Sequence, residues 1–489
     1  MEHFDVVIVG AGLSGIGAAY HLQDKCPGVS YAILEGRDDI GGTWDLFRYP
    51  GVRSDSDMHT LGFSFKPWES KKSIASGPAI MDYLRETVAE NKINERIRFG
   101  QLVTRAEWSS ETASWTLYAT DRTSALETTV SCNFLFMCSG YYSYKGGYEP
   151  EFAGHSRFAG RTVHPQKWPQ DLDYANKRIV VIGSGATAMT LVPAMATDAD
   201  HVTILQRSPT YVVSRPDEDR FANILRKVLP GKLAYSITRF RNTSMQQFVY
   251  KRSRDEPAKV RTFLLDLVRK ELGPDYDVDK HFTPSYNPWD QRLCLVPNSD
   301  LFKAIKSGKA SVVTEQIANF TETGIELANG EHLDADIIVT ATGLNLVTLG
   351  EMDFVVDGKP IDFSRTVTYK GFAYSGIPNL ASSFGYVNAS WTLRADLICE
   401  YVCRLINHMR KTNARQCTPQ LRESDANMPE ISWIGEFSPN YMKRVMHQFP
   451  HQGDREPWIN PQNYKRDKKM FKHGRIDDGV MIFSGSVAD

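Results

Sequence analysis

One local pattern occurs twice in this chain: a run of apolar β-formers, a tight glycine turn, and the opening of a helix. The first copy runs through Phe4-Asp5-Val6-Val7-Ile8-Val9 into Gly10-Ala11-Gly12-Leu13-Ser14-Gly15, with a helix expected from Ile16 to Gln23. The second runs through Arg178-Ile179-Val180-Val181-Ile182 into Gly183-Ser184-Gly185-Ala186-Thr187-Ala188. The first glycine of such a turn permits the sharp reversal. The second leaves the backbone open to close approach, and the third lets helix and strand pack tightly. Alanine at position 188 is still small enough for that third role. The two copies lie too far apart for a solenoid repeat, so they predict two separate units.

The strand after each turn distinguishes the two units. Tyr31-Ala32-Ile33-Leu34 ends at Glu35, twenty residues beyond Gly15, where a carboxylate can accept hydrogen bonds from ribose hydroxyls. A carboxylate there repels a 2′-phosphate, so the first loop suits FAD or NAD. The strand His201-Val202-Thr203-Ile204-Leu205-Gln206 ends instead at Arg207-Ser208. A guanidinium can fork onto a 2′-phosphate, and a serine hydroxyl can add a bond. Such bonds contribute about 1.5–3 kcal/mol each, which favours NADPH over NADH by about tenfold to a hundredfold. Competing readings are a glycine-rich turn with no ligand and a surface arginine after a strand. Strand, loop, helix and terminal acid together argue against the first. The expected fold class is therefore α/β, with two Rossmann-like dinucleotide-binding domains for FAD and NADP and a helical insertion. A flavin beside a nicotinamide implies hydride transfer to the flavin.

At 489 residues the chain exceeds what one hydrophobic core organises. The expected division is a FAD-binding part over 1–142, an NADP-binding domain over 150–335 and a return to the FAD unit over 336–489. Gly140 and Gly343 follow buried-looking strands and mark the expected crossings. Within the insertion, at about 217–285, Val260, Phe263, Leu264, Leu267 and Val268 recur at helical spacing. A helix packed on its own domain is expected. A basic amphipathic helix touching a membrane, with Lys259, Arg261, Arg269 and Lys270, is the alternative. A long helix is expected from about Trp391 to Met409, capped by Ser390 or Asn388, with its N-terminus toward the flavin.

Lysine plus arginine (57) nearly balance aspartate plus glutamate (58), which leaves no electrostatic footprint for nucleic acid. The seven cysteines form no CxxC pair, so neither a metal site nor a disulfide-reductase dithiol is expected. Sparse cysteine, a strand at the N-terminus and no apolar run of membrane-span length lead to the expectation of a cytoplasmic protein without a transmembrane segment.

Two longer patterns are more specific. Phe158-Ala159-Gly160-Arg161-Thr162-Val163-His164-Pro165-Gln166-Lys167-Trp168-Pro169 matches FxGxxxHxxxW followed by proline. Gly41-Gly42-Thr43-Trp44 is followed by Tyr49-Pro50-Gly51 and then Asp55. Both resemble type I Baeyer–Villiger monooxygenases. With Tyr286-Asn287-Pro288-Trp289-Asp290-Gln291-Arg292, the layout is similar to the ethionamide-activating branch.

The resemblance implies an NADPH- and O2-dependent flavoprotein that forms a C4a-peroxyflavin. It would convert ketones to esters and sulfoxidise thioethers or thioamides. Arg292 is implied as the catalytic arginine and Asp55 as its partner. Gly42, Thr43, Trp44 and Asp55 are implied along the flavin, and His164 and Trp168 on the interdomain linker. The family usually places a lysine before the catalytic arginine, whereas this chain has Gln291, which shifts 2′-phosphate recognition onto Arg207. His164 invites an acid–base role, but a hinge hydrogen bond is the preferred reading. Cys294 is expected to pack rather than react. The alternatives are a flavin-containing N-/S-monooxygenase and a catalytically silent flavin-binding partner protein. Oligomeric state and the identity of the substrate are not written in these motifs.

Overall fold

The computed structural model describes residues 1–435 and 439–485. The first strand, Glu2–Val9, lies parallel between Tyr31–Leu34 and Glu127–Met137. Its last residues are buried on both faces, as expected of a parallel sheet covered on two sides. The helix after the glycine turn spans Leu13–Lys25, starting earlier than the apolar pattern suggests because Gly12 occupies the N-cap position. Gln101–Ser109 and Ser114–Asp121 extend the sheet as an antiparallel meander. Late in the chain, Leu380–Ser382 pairs parallel with Glu127–Met137, which ties the C-terminal region to the first sheet.

The second sheet has five strands in the order Ala310–Thr314, His201–Gln206, Arg178–Ile182, Ile337–Thr340, Arg161–Val163, and all its neighbours are parallel. Ile337–Thr340 was expected to open the return to the first unit at 336. It belongs instead to the second sheet, held from both sides by Arg161–Val163 and Arg178–Ile182. Four consecutive apolar or β-branched residues, all buried, need a partner on each edge, so the chain leaves the sheet only beyond Thr340.

Between His201–Gln206 and Ala310–Thr314 in the chain stand the helices Arg220–Val228, Gly231–Asp255 and Pro257–Leu272. In the last, Leu264, Leu265 and Val268 are buried, and two of them join the core beneath the second sheet. The helix therefore packs on its own domain, while Phe263 on the other side stays exposed.

The long C-terminal helix spans Trp391–Thr412 and ends on Asn413 in the left-handed conformation. It packs against Leu13–Lys25. Ser390 occupies its N-cap position, but the hydroxyl bonds Thr60 Oγ1 at 2.7 Å instead of the helix. Asn388 donates to the Gln462 carbonyl at 3.0 Å. Neither side chain caps the helix: the Ser390 hydroxyl turns to Thr60, and Asn388 stands two residues ahead of the N-cap.

Candidate functional site

A cleft of about 620 Å³ opens between the two sheets. That volume is typical of small-molecule and cofactor sites, about 300–1,000 Å³. Its floor is the first glycine turn. Gly10 sits at φ +102°, and a Cβ there would lie 2.6 Å from the Cys138 carbonyl oxygen. A Cβ on Gly15 would lie 1.9 Å from the Gly10 carbonyl oxygen. Gly12 faces Gly42 (φ +55°), whose Cβ would stand 3.3 Å from the Gly12 Cα. Two bare backbones thus confront each other on the cleft wall, leaving N–H groups uncovered by side chains. This cradle fits a pyrophosphate at the start of Leu13–Lys25.

Glu35 lines the same cleft and is buried. Its carboxylate accepts the Ala11 N–H at 2.6 Å and the Arg37 N–H at 2.9 Å. Burial pushes its pKa up, and those two hydrogen bonds pull against that shift. The residue therefore braces the glycine turn besides facing the cleft. Thr43 and Trp44 open the short helix Thr43–Leu46 and line the cleft beside Gly42. Asp45, which sequence reasoning passed over, ties this helix down by pairing with Arg37 at 2.5 Å and with Arg48.

Asp55 and Arg292 are far apart in sequence and meet on the cleft wall, 2.5 Å apart. The Arg292 side chain keeps 35% of its surface, and it opens on the cleft. Asp55 holds the guanidinium charge firmly in place, raising the pKa further against the opposing effect of desolvation. Tyr141, Tyr142 and Tyr441 surround the pair. Burial raises all three phenols, and Arg292 works against each shift. Tyr141 shares a 2.7 Å hydrogen bond with Tyr142 and stacks on Trp391 at 5.1 Å. This aromatic wall draws on separate segments, and no spacing in the chain announces it. Ala389, Ser390 and Trp391 bring the N-terminal end of the long helix onto the cleft, where its dipole favours negative charge.

The second glycine turn shares the geometry of the first but is more open. Gly183 has φ +133°, and a Cβ there would meet the Ala341 carbonyl oxygen at 2.3 Å. Ala188 is fully buried in the place of a third glycine. A Cβ on Gly185 would meet nothing within 4 Å. The Ser184 hydroxyl donates to the Ser208 carbonyl at 2.9 Å, which brings the turn beside Arg207 and Ser208. Both of these are exposed, and Arg207 makes no ion pair among the described residues. Thr187 reaches the cleft wall, whereas Arg207 and Ser208 stand outside it.

His164 lies where the chain crosses between the units. Its Nδ1 accepts the Gln166 N–H at 3.2 Å, so Nε2 carries the proton and donates to the Gly343 carbonyl at 3.1 Å. Burial lowers its pKa. The imidazole serves as a neutral hinge strut. The unfolded chain takes up a proton first as pH falls, so this strut should lose stability below about pH 6.5. Thermal unfolding of the protein followed from pH 7.5 to 5.5 should show that loss, and His164→Gln should flatten it. An unchanged slope in the variant would assign the pH dependence elsewhere.

Cys294 is buried, with its thiol pushed up to about 11 by burial, as suits a packing residue. No cluster that could hold a metal occurs among the described residues.

Comparison with known proteins agrees with this geometry. A family model described as flavin-binding monooxygenase-like matches residues 4–350. FAD-containing monooxygenase EthA of Mycobacterium tuberculosis is 52% identical over 484 residues, 99% of this chain and 98% of its own. Probable FAD-binding monooxygenase AlmA of Acinetobacter baylyi is 48% identical over 483 residues, 99% and 96% of the two chains. Among solved structures, an oxidized steroid monooxygenase bound to NADP superposes with TM-score 0.79 at 23% identity, covering 98% of this chain and 99% of that one. An ε-caprolactone-bound cyclohexanone monooxygenase does so with TM-score 0.78 at 18% identity, covering 99% and 100%. At those identities the structural likeness establishes the fold.

Proposed function

The chain belongs to the flavin-binding monooxygenase-like family, and from that premise we propose that it is an FAD- and NADPH-dependent Baeyer–Villiger monooxygenase. It inserts one oxygen atom of O2 next to a ketone carbonyl to give an ester and oxidises thioethers or thioamides at sulfur. The other oxygen atom leaves as water, and NADPH supplies the two electrons. The observation that carries this reading is the Arg292–Asp55 pair on the wall of the cleft that also holds the first glycine turn.

Gly10, Gly12 and Gly15 would hold the FAD pyrophosphate, Glu35 would accept its ribose hydroxyls, and Gly42, Thr43, Trp44 and Asp55 would hold the flavin end. Bound flavin, once reduced, supplies the activation of O2. The protein residues have a different task. Arg292 presents a permanent positive charge to the negative oxygen species that attacks the carbonyl. Asp55 fixes the direction of that guanidinium. Tyr141, Tyr142 and Trp391 exclude water around it. Gly183, Ser184, Gly185, Thr187 and Ala188 form the NADPH turn, with Arg207 and Ser208 positioned for the 2′-phosphate.

Arg207→Ala should raise the KM for NADPH by about tenfold to a hundredfold and leave that for NADH nearly unchanged. Equal effects on the two would move 2′-phosphate recognition to another residue. The reaction itself is tested by offering the purified holoenzyme NADPH with a simple ketone or an aryl methyl thioether. Ester and sulfoxide should accumulate nearly in step with NADPH consumed. Hydrogen peroxide as the sole oxygen product would overturn the assignment.

A further inference from the structure

Large apolar side chains exposed to solvent stand mostly singly on this protein, except on two successive helices of the insertion. On Arg220–Val228 the exposed ones are Phe221, Ile224 and Val228. On Gly231–Asp255 they are Leu233, Ile237, Phe240, Met245 and Phe248. Spacing of three and four residues puts Phe221, Ile224 and Val228 on one stripe of the first helix and Leu233, Ile237 and Phe240 on one stripe of the second. The two helices pack against each other, with the Arg241 guanidinium of the second 4.4 Å from the Phe221 ring of the first, so both stripes belong to one helical pair. Phe240 is 75% exposed and Val228 69%. Contiguous apolar surface of this kind marks an interaction site.

The opposite face of the longer helix is firmly seated. Ala234, Tyr235 and Thr238 are buried. The Tyr235 hydroxyl donates to the Phe63 carbonyl at 2.9 Å, and Arg239 donates to the carbonyls of His59 (2.9 Å) and Gly62 (2.7 Å). The apolar stripe is therefore a fixed outer surface and not a loosely docked core face.

Charge identifies what covers it. From Arg220 to Arg254 the chain carries nine lysines and arginines and no aspartate or glutamate. Arg226, Arg239 and Arg241 bond inward, to Glu69, His59 and Asp219. Arg220, Lys227 and Lys232 make no ion pair among the described residues and lie next to Phe221, Val228 and Leu233 in the chain. Apolar side chains interleaved with unpaired cations suit a surface that is apolar within and anionic at its boundary. No helix among the described residues is long and apolar enough to cross a membrane, so contact would be at the surface.

We propose that the helices Arg220–Val228 and Gly231–Asp255 dock this protein on an anionic lipid membrane, with Phe221, Ile224, Val228, Leu233, Ile237 and Phe240 inserted among the lipids. The same helices brace the segment 57–62, which follows Asp55 on the cleft wall, so docking would place the cleft near lipid-dissolved compounds. The proposal stands independently of the reaction.

Flotation of the full-length holoenzyme with vesicles tests it. Vesicles of phosphatidylcholine and phosphatidylglycerol should carry the protein, and phosphatidylcholine alone should carry far less. Ile224→Glu with Phe240→Glu should lower binding by about tenfold or more, since it places charge where apolar contact was. Lys227→Gln with Lys232→Gln should lower it by about fivefold per charge at low salt and much less at high salt. Every altered residue is exposed, so thermal unfolding should stay close to that of the unaltered protein. Failure to float with anionic vesicles would overturn the proposal. So would flotation unaffected by both double variants. Sedimentation that shows a dimer dissociated by Phe240→Glu, without vesicle binding in the unaltered protein, would assign the patch to a second copy of the chain.

Discussion

Arg292→Ala should lower the rate of ester formation by about 10²–10³ while leaving reduction of the bound flavin by NADPH largely intact. The two steps separate because they use different parts of the cleft. On the proposed function, reduction would depend on the second glycine turn and on Arg207, which stands outside the cleft. Oxygen insertion needs a fixed positive charge, and Arg292 is the residue that Asp55 holds on the cleft wall at 2.5 Å. Removal of the guanidinium leaves Asp55 facing the cleft without its cationic partner. NADPH oxidation should then continue with hydrogen peroxide as its product. Arg292→Lys should recover only part of the activity, because an ammonium cannot reproduce the planar fork that faces a carboxylate. Stopped-flow reduction under argon and product analysis under air check the two halves separately. Near-normal ester formation by Arg292→Ala would remove this residue from the chemistry.

Gly15→Ala should yield protein that is unstable and nearly devoid of flavin. Its Cβ would lie 1.9 Å from the Gly10 carbonyl oxygen, a backbone atom that cannot rotate away. Overpacking of even adaptable side chains costs about 1–3 kcal/mol, and here the turn itself must move. Gly10 in turn sits against the Cys138 carbonyl, so the displacement has nowhere to go but the cleft. Gly185→Ala is the informative contrast. Its Cβ meets nothing within 4 Å, so fold and flavin content should survive. The added methyl instead occupies the approach to the second turn and should raise the KM for NADPH. Visible absorbance of the purified proteins and thermal unfolding decide the matter. Full flavin content in Gly15→Ala, with an unaltered melting temperature, would contradict the packing argument.

Both glycine turns, their strands and the acid at position 35 were legible because each obeys a short local rule. A Rossmann turn needs small residues at fixed positions, and a parallel strand needs a run of β-branched residues. The pairing of Asp55 with Arg292 follows no such rule. Only resemblance to a family joined two residues so distant in sequence. The aromatic wall was invisible for the same reason, since Tyr141, Trp391 and Tyr441 come from separate segments and meet only in three dimensions. The expected crossing at Gly343 lies beyond Ile337–Thr340, but the expected start of the return at 336 does not, because a buried strand looks alike whichever sheet it joins. The helix Pro257–Leu272 has apolar residues at helical spacing, yet periodicity does not say whether a face is covered. The absence of acids from Arg220 to Arg254 was readable in the chain and points to the patch that is exposed.

The central claim is that this cleft transfers an oxygen atom from O2 and does not merely oxidise NADPH. The most direct measurement is the mass of the ester formed from a ketone by holoenzyme and NADPH under 18O2. One 18O atom per ester molecule, with the second appearing in water, is the predicted result. An ester without label, or label recovered only as hydrogen peroxide, would contradict it.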